Sequence, residues 1–390
     1  MSLTKHINIL DYTLLSLLRR KFRNAGIILV FSLVICITGS VLLLTYAFKR
    51  EAVLVLGNVP ELIVQKMTAG RHELIPVSLG EEISRIPGVS GVEPRYWGYY
   101  FDSFTKANYT VVTPGGRLSE GNKLLQGRLP SAEEKGVAAI GGGIARTRFL
   151  GIDDDLALFS PDGKLRNFRV VGIFQAPSEL LTFDLIVIGK GDLQELFSLP
   201  PGIATDLVVG VRNETEAPVI ARKIRERIPD SRPILRREII RTYDAVFSWR
   251  SGLILTLFAG ALAAFAILAW DKATGLSADE RREIGILKAL GWETSDILEM
   301  KFWEGVAISL TSFFLGILAA YAHIFFFDAA LFAPALKGWS VIYPRFHLVP
   351  FIDPYQIATL LSLTVIPYIA STIIPSWKAA VTDPDEVVRG

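Results

Sequence analysis

The sequence predicts an α-helical polytopic membrane protein with four transmembrane helices and one large α+β domain between the first and second. Three observations carry that reading. Runs 26–48, 251–270, 305–327 and 355–377 contain no Asp, Glu, Lys or Arg, and at about 1.5 Å per helical residue each covers roughly the 30 Å of a bilayer core. Of the 390 residues, 51% are hydrophobic and the mean hydropathy is +0.38, unlike an ordinary soluble chain. Residues 49–250 alternate short strand and helix patterns and are long enough to bury a core of their own.

Residues 1–25 are expected to form a cytoplasmic amphipathic helix. Ile7, Leu10, Leu14, Leu17 and Leu18 make its apolar side, and Arg19, Arg20, Lys21 and Arg23 end it in a basic cluster beside the first span, 26–48. This suits a helix lying on the inner leaflet and also a positive-inside topology signal. The first run is too long for the apolar part of a signal peptide. Lys49, Arg50 and Glu51 follow it in place of a small-residue cleavage site, so it reads as an anchor.

In the domain 49–250, strands are expected near 61–66, 91–101 and 109–113, with a helix near 79–86. A β-rich insertion, about 116–189, interrupts this base. Within it Gly141-Gly142-Gly143 opens a short helix ending near Leu150, and Pro161-Asp162-Gly163 turns a hairpin between strands 155–160 and 167–174. A further strand is 185–188. The base resumes with strand 207–211, helix 216–228 and strand 232–235, and a basic helix, 236–249, leads into the second span, 251–270. Loop 271–304 precedes the third span, 305–327. An outer loop, 328–354, precedes the fourth, 355–377, where Pro367 predicts a kink, and a tail, 378–390, follows. Trp249, Trp270, Trp303 and Trp377 stand at span ends, where amphipathic rings sit best.

Short flanks set the orientation. Lys5, Arg19, Arg20, Lys21 and Arg23 precede the first span, and Lys272, Arg281, Arg282, Lys288 and Lys301 lie in 271–304, against only Lys337 and Arg345 in 328–354. The positive-inside rule therefore places both termini and loop 271–304 in the cytoplasm and segments 49–250 and 328–354 outside. Lys49, Arg50 and Arg250 oppose this, but they flank a long segment that translocates largely regardless of charge.

Loop 271–304 carries the most specific pattern in the chain. Ile284, Leu287 and Leu290 recur at helical spacing, Arg281, Arg282 and Lys288 lie off that stripe, and Glu280 and Glu283 flank its first turn. Gly291 suits a helix C-cap, and Thr294 or Ser295 suits the N-cap of the next helix, with Asp296 in its first turn. A charged helix with an apolar stripe in so short a loop calls for a soluble partner. Its mixed charge argues against simple adsorption to lipid.

The run ERREIGILKALG, with Ile297 and Glu304 beyond it, resembles the cytoplasmic loop of the MacB/FtsX-like ABC transporter permeases, also called type VII. Segment GGGIARTRFLGIDDDLALFSPDGKLRNFRVVGIF looks like the insertion in that family's periplasmic core domain, and Pro375 to Val387 is similar to its terminal pattern. The resemblance implies a fold with a MacB-type periplasmic core and a permease subunit in the bacterial cytoplasmic membrane. It implies that ATP hydrolysis by a separate ATPase moves the outer domain, in export, efflux or extraction of lipoprotein or lipid. The alternative is an FtsX-like regulatory subunit that activates an outer partner without transport; the large split domain favours transport. The residues that would couple to the ATPase are Glu280, Arg281, Glu283, Ile284, Leu287, Lys288, Leu290 and Gly291, the apolar stripe entering a cleft and the charges forming a rim. Implied partners are that cytoplasmic ABC ATPase, a second copy or a related permease in a homodimer or heterodimer, membrane lipid and, in some members, a periplasmic adaptor.

Other chemistry finds no support. No GxxxxGK[ST] loop occurs, so no cofactor is expected in this chain, and ATP-Mg would sit on the partner ATPase. Gly141-Gly142-Gly143 fails the dinucleotide pattern because Arg146 stands where the third glycine belongs, which leaves a structural turn. Asp153-Asp154-Asp155 lacks the alternating spacing of a calcium loop. His6, His72, His323 and His347 are too scattered for a metal site, and Cys36 is the sole cysteine. His323 stands near the outer end of its span, where interfacial placement is expected. A net charge of +2 points to no nucleic acid. A membrane enzyme lacks a catalytic set, and a sensor would need a cytoplasmic output domain.

Overall fold

The computed structural model describes residues 3–56, 60–115, 124–174, 179, 182–242, 259, 263, 278–334, 341–343 and 348–381. A helical unit comprises Met1–Ala47, Ser248–Leu331 and Val349–Gly390, and an α+β unit comprises Phe48–Phe247 and Phe332–Leu348. The chain opens with α1 (Leu3–Arg19) and α2 (Lys21–Leu56), separated by Arg20 alone.

Among the described residues, two large sheets and one two-stranded pair build the α+β unit. The first uses β1 (Leu62–Thr68), β4 (Val89–Arg95), β13 (Asp206–Val211) and β14 (Ser231–Leu235) in the order β14-β1-β13-β4, with β2 (Arg71–Glu73) turned back onto β1. All its pairings are antiparallel, with Leu62 opposite Val209 and Leu235. Leu62, Val64, Leu207 and Val209 point into the core, as period-two alternation dictates. α6 (Ala217–Arg227) packs on β14 and α3 (Leu79–Ser84) on β4. In α6, Ala217, Ile220, Ala221 and Ile224 form one buried stripe at helical spacing. A small pair, β3 (Ile75–Pro76) with β12 (Ile203–Ala204), lies beside them.

The second sheet runs β5-β6-β11-β8-β10-β7, with β9 on β10. Its strands are β5 (Trp97–Asp102), β6 (Ala107–Val112), β7 (Leu124–Gly127), β8 (Val137–Gly141), β9 (Asp155–Phe159), β10 (Leu165–Phe174) and β11 (Leu185–Ile188). Helices α4 (Gly142–Arg148) and α5 (Lys190–Leu196) accompany it. The β-rich part therefore starts at Trp97 and not near 116, and the single strand expected over 91–101 is two strands in two sheets. The physical cause is a lock at the switch point. Arg95 makes a two-pronged ion pair with the fully buried Asp206 (2.7 and 2.6 Å), Trp97 Nε1 donates to the same carboxylate (2.9 Å), and Thr205 bonds both the N–H and the C=O of Trp97. Alternation continues across this switch, so nothing in the pattern betrays it.

The glycine triplet is steric. A Cβ on Gly141 would stand 1.9 Å from the carbonyl oxygen of Thr182, and one on Gly143 would stand 2.6 Å from that of Phe183. Only glycine lets β8 pass into α4 there. Asp153 takes φ of +68° and Asp154 accepts from the N–H of Gly151 (2.7 Å), so the acidic run is a turn. The β9–β10 hairpin forms at Pro161-Asp162-Gly163, with Gly163 at φ +78° and Phe159 opposite Leu165.

The helical unit continues with α7 (Ala278–Ala289), α8 (Thr294–Phe325) and α9 (Pro354–Val381). Among the described residues, three helices are long and apolar enough to cross a membrane: Lys21–Glu51, Thr294–Phe325 and Pro354–Trp377. The fourth expected span, 251–270, lies outside the described residues except at 259 and 263, as do 382–387 of the expected terminal motif. Pro367 and Pro375 both sit inside α9 without ending it. Phe31 and Ile35 of α2, Ile308 and Phe313 of α8, and Leu360, Val365 and Tyr368 of α9 bury one another. A Cβ on Gly316 would lie 2.7 Å from Ile35 Cβ and 2.8 Å from the Ser32 carbonyl oxygen. The missing side chain thus lets α2 and α8 meet almost backbone to backbone. His323 is buried within the helical unit. Its Nδ1 is 3.0 Å from Ser40 Oγ, and its Nε2 accepts from the Leu331 N–H (3.1 Å), so the ring ties α8 to α2 and to the following turn.

The β5–β6 connection supplies a stability test. Asp102 is 2% exposed and accepts from Tyr109 Oη and Thr105 Oγ1, both at 2.7 Å, with the Arg148 guanidinium 3.6 Å away. Burial pushes its carboxyl up, but those donors and Arg148 outweigh burial and hold it below the usual carboxylate range. Its contribution is therefore complete above the unfolded-state value of about 4 and fades as pH falls through the lower folded value. Asp102→Asn should cost about 1–3 kcal/mol near neutrality, and the gap to the parent should close on acidification. Thermal unfolding of the full chain in detergent across pH checks both.

Candidate functional site

Two helices and an elbow form the site. α7 is rich in Ala, Glu, Arg, Lys and Leu, all good helix formers. It stops at Gly291, which takes φ of +94°. The Gly291 N–H donates to Lys288 O (2.9 Å) and the Trp292 N–H to Leu287 O (3.0 Å), the paired bonds of a Schellman C-cap. The next cap is Glu293 and not Thr294 or Ser295. The side chain of Glu293 accepts from the Asp296 N–H and Asp296 accepts from the Glu293 N–H, a reciprocal box that a hydroxyl one residue later could not close.

The inner side of α7 is occupied by the chain itself. Leu287 (5% exposed) packs with Ile9 of α1 and Met300 of α8, flanked by Tyr12 and Trp292, whose rings lie 5.4 Å apart. Ile284 is 2% exposed. Around this apolar contact lies a layer of ion pairs. Arg20 reaches Glu283 (2.7 Å) and Glu280 (3.6 Å), Arg23 reaches Glu280 (2.7 Å), and Tyr12 Oη donates to Glu283 (3.3 Å). Farther along α1, Lys5 pairs with Asp296 and His6 Nδ1 with Glu299, both at 2.7 Å. The hydrogen bond to Asp296 raises Lys5 above its ordinary value.

Of the residues expected to couple to an ATPase, Ile284 and Leu287 are buried within the chain itself, and Glu280 and Glu283 bond Arg20, Arg23 and Tyr12 of the N-terminal segment. Leu290, 73% exposed, points outward, together with Ile286, 53% exposed, which the pattern reading passed over. At about 100° per residue, Leu290 lies roughly 120° from Ile284 but only about 40° from Ile286. The Ile286–Leu290 spacing of four was the available signal. Arg282 is exposed, Lys288 is half-buried, and the side chain of Arg281 lies outside the described residues.

α1 also turns out differently in detail. Ile9 and Thr13 face inward, and Leu17 is half-buried, while Leu3, Ile7, Leu14, Leu15 and Leu18 are exposed, as is Phe22 at the start of α2. The apolar side of the helix therefore faces away from α7 and α8. Ile9 and Tyr12 make the apolar part of the protein contact, and Lys5, His6 and Arg20 flank it because buried carboxylates need cations.

Two family models match, together spanning most of the chain: the MacB-like periplasmic core domain over residues 25–227 and the FtsX-like permease C-terminal model over 253–384. An uncharacterised ABC transporter permease of Methanocaldococcus jannaschii is 25% identical over 62% of this chain. The match spans 65% of that relative's own length. Among solved structures, the periplasmic region of MacB from Actinobacillus actinomycetemcomitans is 15% identical with a TM-score of 0.35, covering 48% of this chain and 94% of that one. The extracellular domain of the ABC-type transporter YknZ from Gram-positive bacteria is 9% identical with a TM-score of 0.32, covering 44% and 98%.

The elbow gives a test of its own. A β-branched side chain at φ +94° is strained by about 1–3 kcal/mol. Gly291→Val should loosen the α7–α8 junction and raise tryptic cleavage at Arg282 and Lys288, whereas Gly291→Asn, more tolerant of the left-handed region, should stay near the parent. Digestion of membranes followed by mass spectrometry reads the difference.

Proposed function

We infer the function from the family: this chain belongs to the MacB/FtsX-like ABC transporter permeases. On that premise it is proposed to be the transmembrane subunit through which a separate cytoplasmic ABC ATPase, holding ATP-Mg, drives movement of the α+β domain outside the membrane. The observation that carries this is the α7–Gly291–α8 elbow, which offers Ile286 and Leu290 outward while its inner side is pinned to α1 and α8. Docking then rests on those two apolar side chains. Burying a leucine is worth about 1.5–3 kcal/mol, against about 0–1 kcal/mol for an exposed ion pair. Arg281, Arg282 and Lys288 supply the charged margin of the contact. Glu280, Glu283, Ile284 and Leu287 act from behind, by holding α7 in place.

The proposed topology has spans 26–48, 251–270, 305–327 and 355–377 in the cytoplasmic membrane, both termini and 271–304 inside, and 49–250 and 328–354 outside. α1 lies on the inner leaflet with Leu3, Ile7, Leu14 and Leu18 toward lipid. Two copies, or one copy and a related permease, pair with two ATPases. The work is export, efflux or extraction by transmitted motion, with substrate handled on the outer side.

Two experiments test this reading. In a Cys36→Ser background, cysteines at Ser103 and Ser277 should label oppositely with a membrane-impermeant maleimide in intact cells, and labelling of both would overturn the topology. Leu290→Asp and Ile286→Asp should each lower ATPase co-purification at least tenfold, while Lys288→Ala should stay within about twofold. Undiminished ATPase retention by Leu290→Asp would remove α7 as the docking element.

A further inference from the structure

The basic cluster 19–23 has an ordinary explanation as a topology signal facing lipid headgroups, yet two of its members are committed elsewhere. Arg20 occupies the single-residue break between α1 and α2, and Arg23 lies in the first turn of α2. Both spend their hydrogen bonds on Glu283 and Glu280, more than 250 positions away in sequence. The Glu280 side chain is 8% exposed and that of Asp296 is 7%. A carboxylate so far removed from water is costly without a cation, so these bonds hold segments together and are not incidental surface pairs. The ties are also spread along the whole of α1. Lys5 and His6 grip the start of α8 near one end, Ile9 and Tyr12 pack on Leu287 and Trp292 in the middle, and Arg20 grips α7 at the other.

We propose that α1 is a working part of the coupling joint: α1, α7 and the first turns of α8 move as one body, and the Arg20 and Arg23 bonds to Glu283 and Glu280 pass displacement of α7 to α2. This rests on the docking reading of α7. It adds a second route out of the joint. Motion delivered at Ile286 and Leu290 enters α8 through the elbow, and it enters α2 through the ion pairs. α2 is the helix by which the chain passes from the joint toward β1. Arg20, Arg23, Glu280 and Glu283 are thus positioning residues for transmission.

The test uses the full chain with its ATPase in proteoliposomes and three readouts: ATPase co-purification, ATP hydrolysis, and the difference in tryptic pattern of the α+β domain between nucleotide-free and ATP-vanadate-trapped states. Arg20→Glu should keep the ATPase bound and hydrolysis within about threefold of the parent, yet lose the nucleotide-dependent change in digestion. The exchange Arg20→Glu with Glu283→Arg should restore that change. A merely structural role would depress all three readouts together. Persistence of the nucleotide-dependent change in Arg20→Glu, or failure of the exchange to restore it, overturns the proposal. If Arg20→Glu does not assemble, Arg20→Gln takes its place: loss of the nucleotide-dependent change with the ATPase still bound supports the proposal, and persistence of the change, or loss of all three readouts together, sinks it. Leu290→Asp separates this from the premise, since its normal ATPase retention would count against docking itself and leave the Arg20–Glu283 exchange unaffected.

Discussion

Glu280 and Glu283 stand at the margin of an apolar helical unit, and their pairing with Arg20 and Arg23 is the constraint on which that unit depends. An unpaired carboxylate as buried as Glu280, whose side chain is 8% exposed, is strongly destabilising, so α7 can occupy its place only if the N-terminal segment comes to meet it. That requirement decides which side of α7 is inner. It seats Leu287 on Ile9 and Met300, and it leaves Ile286 and Leu290 as the apolar groups available outside. It also turns the apolar side of α1 away from the protein, because the polar side is engaged.

A related logic holds the α+β unit. Asp206 is fully buried and is satisfied by Arg95 and Trp97 at the point where the chain leaves one sheet for the other. Asp102, at the far end of β5, is satisfied by Thr105, Tyr109 and Arg148. Strand β5 is therefore pinned at both ends by carboxylates whose donors come from neighbouring segments. Such satisfied polar networks specify one arrangement where apolar packing alone tolerates several. The spans use close contact in place of polarity: Gly316 against Ile35 and Ser32 gives dispersion contacts that a larger side chain would forbid.

Sequence alone determined much of this protein. Charge-free runs of bilayer length, the elbow glycine at 291 and the Pro161-Asp162-Gly163 hairpin follow from periodicity and backbone preference, which act over a few residues, and the family was legible in ERREIGILKALG for the same local reason. The tertiary structure decided what depends on distant partners. Whether Leu287 or Leu290 faces outward turns on Arg20 and Ile9, far away in the chain; whether 91–101 is one strand or two turns on Asp206; and what the His323 ring holds together turns on Ser40 and the Leu331 N–H. Hydrophobic periodicity tells that a face is apolar but not what covers it, and ion pairing between remote segments leaves no period at all.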